Sequence, residues 1–149
     1  MSGRQRALVR EARAWIGTPY VHQQASKGAG CDCLGLVRGV WRGVIGAEPD
    51  RPPAYSMDWS EPQGEEVLWE AALRHLNTKA VEDAAIGDVL LFRMRTGAVA
   101  KHLGVQSAIV PQAAFVHAYS GLGVVESALS VPWARRIVAR FQFPTEELS

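Results

Sequence analysis

The chain has 149 residues, 48% of them hydrophobic, which is enough to build one core and predicts one domain over residues 1–149. A net charge of +1, with 13 Arg and 3 Lys but no basic run, gives no electrostatic case for nucleic acid or an anionic membrane as the main partner. Two cysteines make no disulfide framework, the Arg-bearing N-terminal stretch lacks an apolar signal-peptide core, and nothing later could span a bilayer. The expectation is a chain made in the cytoplasm without a signal peptide or membrane insertion.

Residues 4–16 place Leu8, Ala12, Trp15 and Ile16 at helical spacing before Gly17, which predicts an amphipathic helix with a glycine cap. A polar, glycine-bearing loop follows at 21–30. From Cys33 to Ile45 the spacing sets Cys33, Leu36, Val37, Val40, Trp41 and Val44 on one helical face. Residues 47–64, with Pro49, Pro52, Pro53 and Pro62, read as a long surface loop flanking a cleft. Leu68, Ala72 and Leu76 predict a third helix over 65–76. From Gly87 the period changes: DVLLFRM, LGVQSAIV, AAFVHAYS, LGVVES and RIVARFQF are short, β-branched or aromatic runs parted by turn residues. They predict consecutive antiparallel strands, so the fold class is α+β, with N-terminal helices packed on an antiparallel meander.

The stretch GAGCDCLGLVRGVW at 28–41 holds both cysteines. A disulfide between residues two apart is strained, because the preferred Cα separation is about 5.5–6 Å. A zinc site needs four ligands, and His22, His75, His102 and His117 follow no ligand spacing. A nucleophile fits more of the local pattern. Asp32 is a good N-cap and makes Cys33 the first helical residue, where the helix dipole favours a thiolate and free N–H groups could hold an oxyanion. Gly30 and Gly35 would leave room for a substrate backbone. The plain alternative, that both cysteines are small buried residues, stands beside it on local sequence.

A thiolate needs a base. His102 opens one predicted strand and His117 lies within the next; a connection at 108–111 would set them opposite each other. Cys, His and a second polar group form a nucleophile, base and orienter. His75 reads as structural, and His22 as a loop residue.

The combination GTPY at 17–20, CDCLGL at 31–36, GDVLLF at 87–92, KHLGV at 101–105 and VHAYSGLGVVES at 116–127 resembles the NlpC-like cell-wall cysteine peptidases. Within them it is most similar to the branch encoded with phage tails and gene transfer agents, over about residues 5–143. The resemblance implies a papain-like α+β fold and hydrolysis of peptidoglycan stem peptides, typically between γ-D-glutamyl and a diamino acid. By position, Cys33 matches the nucleophile, His102 the base and His117 the orienter. Tyr20 matches a tyrosine beside the nucleophile that can donate to substrate or oxyanion, and Asp32 an acidic residue that helps recognise the peptide. Their plain alternatives are an aromatic packed after a helix cap and a simple N-cap. Leu34 stands where many relatives have a substrate-binding Ser, so a hydroxyl contact is missing.

This reading needs no metal or organic cofactor. Its partners are peptidoglycan peptides and other tail or particle proteins, and its site of action is the periplasm, reached with a particle. A thiolate–imidazolium pair would give activity with two apparent pKa values belonging to the pair. The other readings are a tail-tip docking component whose catalysis has lapsed, and a zinc-binding module.

Overall fold

The computed structural model describes residues 2–49, 66–95 and 97–144. Most of the proline-bearing loop expected at 47–64 therefore lies outside the described residues. Helix α1 spans Gly3–Ala14. It starts in a capping box: the Ser2 hydroxyl accepts from the Gln5 N–H, and the Gln5 side chain accepts from the Ser2 N–H. The helix closes at Trp15, and Gly17 takes the left-handed conformation (φ +95°) that turns the chain toward the sheet. Ile16, expected on the buried face, lies past that end and is 45% exposed.

The segment at 21–30 is more ordered than a loop. Strands β1 (Ala25–Ser26) and β2 (Gly30–Cys31) form a small antiparallel hairpin, and Tyr20 bridges Cys31 in parallel. Helix α2 covers Cys33–Val44 and α3 Val67–His75, the latter burying Leu68 and Ala72. Then come β3 (Asn77–Lys79), β4 (Val89–Phe92), β5 (His102–Ala108), β6 (Ala114–Tyr119), β7 (Gly123–Ala128), the short α4 (Val131–Ala134) and β8 (Ile137–Gln142).

The main sheet has the order β3-β8-β4-β5-β6-β7, antiparallel throughout. Strands β4 to β7 form the expected meander. The last strand departs from it: β8 crosses back to pair with β4 and, on its other side, with β3, which carries no strand signal in NTK. The fold is a mixed α+β architecture with helices on an antiparallel sheet.

Alternation along the strands sorts the sheet into two faces. Val89, Leu91, Leu103, Val105, Val116 and Ala118 point to α1 and α2 and close the main core with Leu8, Ala12, Trp15, Leu36 and Val40. Gly39 lets the helices approach: a Cβ there would lie 1.9 Å from Trp15 Cζ2. The opposite face carries a smaller cluster of Leu90, Phe92 and Phe115, covered by Met94, Leu129, Trp133 and Ile137. Among the described residues no helix is long and apolar enough to cross a membrane.

Candidate active site

Asp32 is buried and uses both carboxylate oxygens, one to cap α2 and one to hold the turn before it. Oδ1 accepts from the Gly35 N–H (2.8 Å), and Oδ2 from the Gln23 N–H (2.7 Å), with His22 Nδ1 3.8 Å away. One carboxylate thus ties the helix start to the turn at 21–24, where Gln23 takes a positive φ of 66°. The room expected beside the cysteines for a substrate backbone is filled by this same turn. A Cβ on Gly35 would lie 1.9 Å from the Gln24 carbonyl oxygen, and one on Gly30 2.6 Å from Val21 Cγ2. Both glycines serve the chain's own packing.

Cys33, the first residue of α2, reaches the beginning of β5. Its thiol donates to the Lys101 carbonyl (3.7 Å), and the Leu103 N–H is within reach of the sulfur. The sulfur therefore touches the backbone on both sides of His102, while its hydrogen bond runs to the strand and not to the imidazole.

His102 and His117 are both buried and joined directly, Nε2 of His102 to Nδ1 of His117 at 2.8 Å. Their registry differs from the one expected. The connection occupies residues 109–113, a bulge falls between Gln106 and Ala108, and Val105 faces Val116. Continuing that ladder sets His117 opposite Gly104, two residues from His102. A slip of two keeps both side chains on one face, and the diagonal distance is within reach of two rings. Gly104 lets Phe115 and His117 pack against the strand: a Cβ there would lie 2.8 Å from Phe115 Cδ2 and 3.4 Å from His117 Cβ. On its far side His117 Nε2 meets Ser127 Oγ at 2.8 Å. The result is a file of three groups, Ser127, His117 and His102, whose last member keeps Nδ1 for other chemistry.

Aromatic rings enclose this file. Trp133 of α4 lies 5.7 Å from His102 and 5.2 Å from His117, and Tyr119 5.9 and 5.6 Å from the same rings, centroid to centroid. Phe92 and Phe115 close the far side. Trp133, Tyr119 and Ser127 escaped the sequence reading. The Trp133 helix is only four residues long, and the Ser127 contact depends on the β6–β7 register. The alternation of Ser127 with Val125 on a strand beside His117 was the available signal.

Burial dominates the electrostatics. It drives His102 down to about 3, with His117 adding to the effect, and His117 down to about 4. Burial, then the Asp32 carboxylate, pushes the Cys33 thiol up to about 12, against the N–H groups of Leu103, Leu34 and Cys33 itself. Burial thus works against the thiolate expected at the helix N-terminus, favouring the thiol of Cys33 and the neutral imidazoles of His102 and His117. The Tyr20 phenol is pushed up by burial and then by Cys33, Asp32 and Cys31, so it shares the thiol's surroundings.

Cys31 is a wholly buried strand residue and not a loop residue. It is held by its N–H to the Pro19 carbonyl (3.0 Å) and its carbonyl to the Val21 N–H (3.0 Å), and burial raises its thiol to about 12. Both cysteines are free. Among the described residues no three His, Cys, Asp or Glu side chains gather as a metal ligand set.

A scan against protein-family models finds no match to this chain, and neither does a search of curated proteins. Solved structures do match. The crystal structure of a lipoprotein-like protein of the NLP/P60 family from Staphylococcus aureus superposes with a TM-score of 0.65 at 19% identity, over 98% of this chain. This chain spans 43% of that protein's length. The NlpC/p60 domain of peptidoglycan hydrolase SagA superposes with a TM-score of 0.59 at 27% identity, over 95% of this chain and 98% of the domain. The α+β architecture is thus that of NlpC/P60 structures, papain-like in class.

Proposed function

We propose that this chain is a cysteine endopeptidase that hydrolyses peptidoglycan stem peptides, with Cys33 as nucleophile, His102 as base and His117 as the group that orients it. The observation that carries this reading is the buried His117–His102 pair at the start of β5, whose flanking backbone receives the Cys33 thiol from the N-terminus of α2. The likeness in fold to a domain of a named peptidoglycan hydrolase supports the substrate class.

In this mechanism the peptide enters between α2 and the start of β5 and displaces the thiol from the Lys101 carbonyl. His102 Nδ1 takes the thiol proton as sulfur attacks the scissile carbonyl, so the charged pair exists only with substrate bound. The Cys33 N–H and the Tyr20 hydroxyl stabilise the oxyanion. The imidazolium protonates the leaving amine, a thioester remains, and His102 then removes a proton from the water that hydrolyses it. No step calls on a cofactor. The bond is that between γ-D-glutamyl and a diamino acid, read by the turn that Asp32 holds. The setting is a phage-like tail or gene transfer agent acting in the periplasm, a setting that rests on the motif resemblance.

Incubating purified protein with murein and assaying new amino termini tests the reading. Wild type should release them and Cys33→Ser should not. Intact murein in the presence of folded wild type would overturn the peptidase and leave a docking role for the domain.

A further inference from the structure

We infer that Ser127 is a positioning residue that sets which nitrogen of His102 carries a proton; this rests on the reading of His102 as the base. The argument begins with the file of hydrogen bonds, Ser127 Oγ to His117 Nε2 and His117 Nδ1 to His102 Nε2, each 2.8 Å. A neutral imidazole has one N–H and one bare nitrogen, so every bond in the file must run in the same direction.

If the Ser127 hydroxyl accepts from His117 Nε2–H, then His117 Nδ1 is bare and accepts from His102 Nε2–H. His102 Nδ1 is then bare and can take the thiol proton. If the file runs the other way, His117 Nδ1–H donates to His102 Nε2, the His102 proton sits on Nδ1, and the base is blocked. A hydroxyl can donate or accept; in the inferred file Ser127 Oγ accepts, and that holds the first direction. It stays available because Ser127 lies on β7 with its backbone paired to Phe115, which fixes the side chain on the His117 face. Without that oxygen, His117 Nε2–H loses the acceptor it has among the described residues, in a site walled by Trp133, Phe115 and Tyr119. The neutral ring avoids that cost by moving its proton to Nδ1, which reverses the file.

Threonine keeps the hydroxyl and valine replaces it with a methyl at equal shape, so the comparison of Ser127→Thr with Ser127→Val isolates the oxygen. Ring ¹⁵N shifts of His102 and His117, assigned with single-histidine variants, should report Nε2–H on both rings in wild type and in Ser127→Thr. Ser127→Val should move protons to Nδ1 on both. Murein-cleavage kcat should fall at least about tenfold in Ser127→Val, within the roughly 10²–10⁴ that a general base contributes, with KM little changed and Thr restoring it. Unchanged ring shifts in a folded Ser127→Val would overturn the inference, as would Nδ1–H rings in wild type. Shifts that respond as expected in a wild type that leaves murein intact would support the tautomer control while sinking the peptidase reading.

Discussion

Two buried polar clusters sit on the same face of the sheet, and strand β5 contributes to both. At one end Gln106 joins Asp88, Arg140 and Lys79. Arg140 Nη1 donates to Asp88 Oδ2 (2.9 Å) and to Gln106 Oε1 (2.6 Å), Arg140 Nε donates to the Val81 carbonyl, and Lys79 Nζ lies 3.1 Å from Asp88. At the other end His102 joins His117 and Ser127. The first cluster is charged and closed, each ion facing its opposite. In the second, burial disfavours the charged form of both imidazoles, and on the proposed reading His102 Nδ1 takes the reacting proton. A buried charge network of the first kind holds strands in place, whereas a pair of imidazoles kept neutral by burial is the kind of perturbed titratable group on which the proposed proton transfer would draw.

Breaking each cluster should therefore fail in different ways. The largest effect is expected at the chemical end: Cys33→Ser should lower murein cleavage on the order of 10⁴-fold or more while the thermal melt barely moves. Replacing Arg140 by Met leaves Asp88 with Lys79 and the Ala85 N–H and should cost about 3–5 kcal/mol in urea unfolding, with kcat per folded molecule retained. A destabilised Cys33→Ser, or an inactive but stable Arg140→Met, would erase the distinction.

Alkylation reports the state of the Cys33 thiol. With the Cys33 thiol raised to about 12, iodoacetamide should modify it slowly at neutral pH and faster at each alkaline step, followed by mass spectrometry of its peptide. A rate already at its plateau in mild acid would mean a resting thiolate–imidazolium pair.

Stability against pH should show the same buried groups. His102 and His117 protonate in the unfolded chain near 6.5 but in the fold only near 3 and 4, so their contribution is complete above about 6.5 and lost as pH falls toward those values. The cysteines, raised from 9.0 to about 12, contribute below pH 9 and lose that contribution as pH rises toward 12. Urea midpoints across the pH range test both limbs. The smallest effect on activity is expected from Cys31→Ser, which should leave cleavage unaffected while costing about 1–3 kcal/mol for burying a hydroxyl in the core.

The helices and the meander were legible because their signals are local: a capping residue, an apolar stripe of period 3.6, a run of β-branched residues. The Cys33 position followed from Asp32 alone. What escaped depends on contacts far apart in sequence. No feature of RIVARFQF says that it pairs with β4 instead of β7. The histidine pair was found despite a wrong register, because an error of two residues preserves the face of a strand and an error of one would have lost it. The opposing pull on the Cys33 thiol was hidden for a related reason: a helix dipole is visible from the chain, and the depth of burial that works against it is not.

The crossing of β8 has a consequence for how the molecule is assembled. The strand nearest the C-terminus of the described fold is an interior one, flanked by β3 and β4. During synthesis the β4–β7 meander can pair as it emerges, but β3 has no neighbour and Asp88 no guanidinium until residues 137–142 arrive. Removing that stretch does not trim an edge. It opens a gap between β3 and β4, so completion of the ladder is the step that joins β3 to the rest of the sheet.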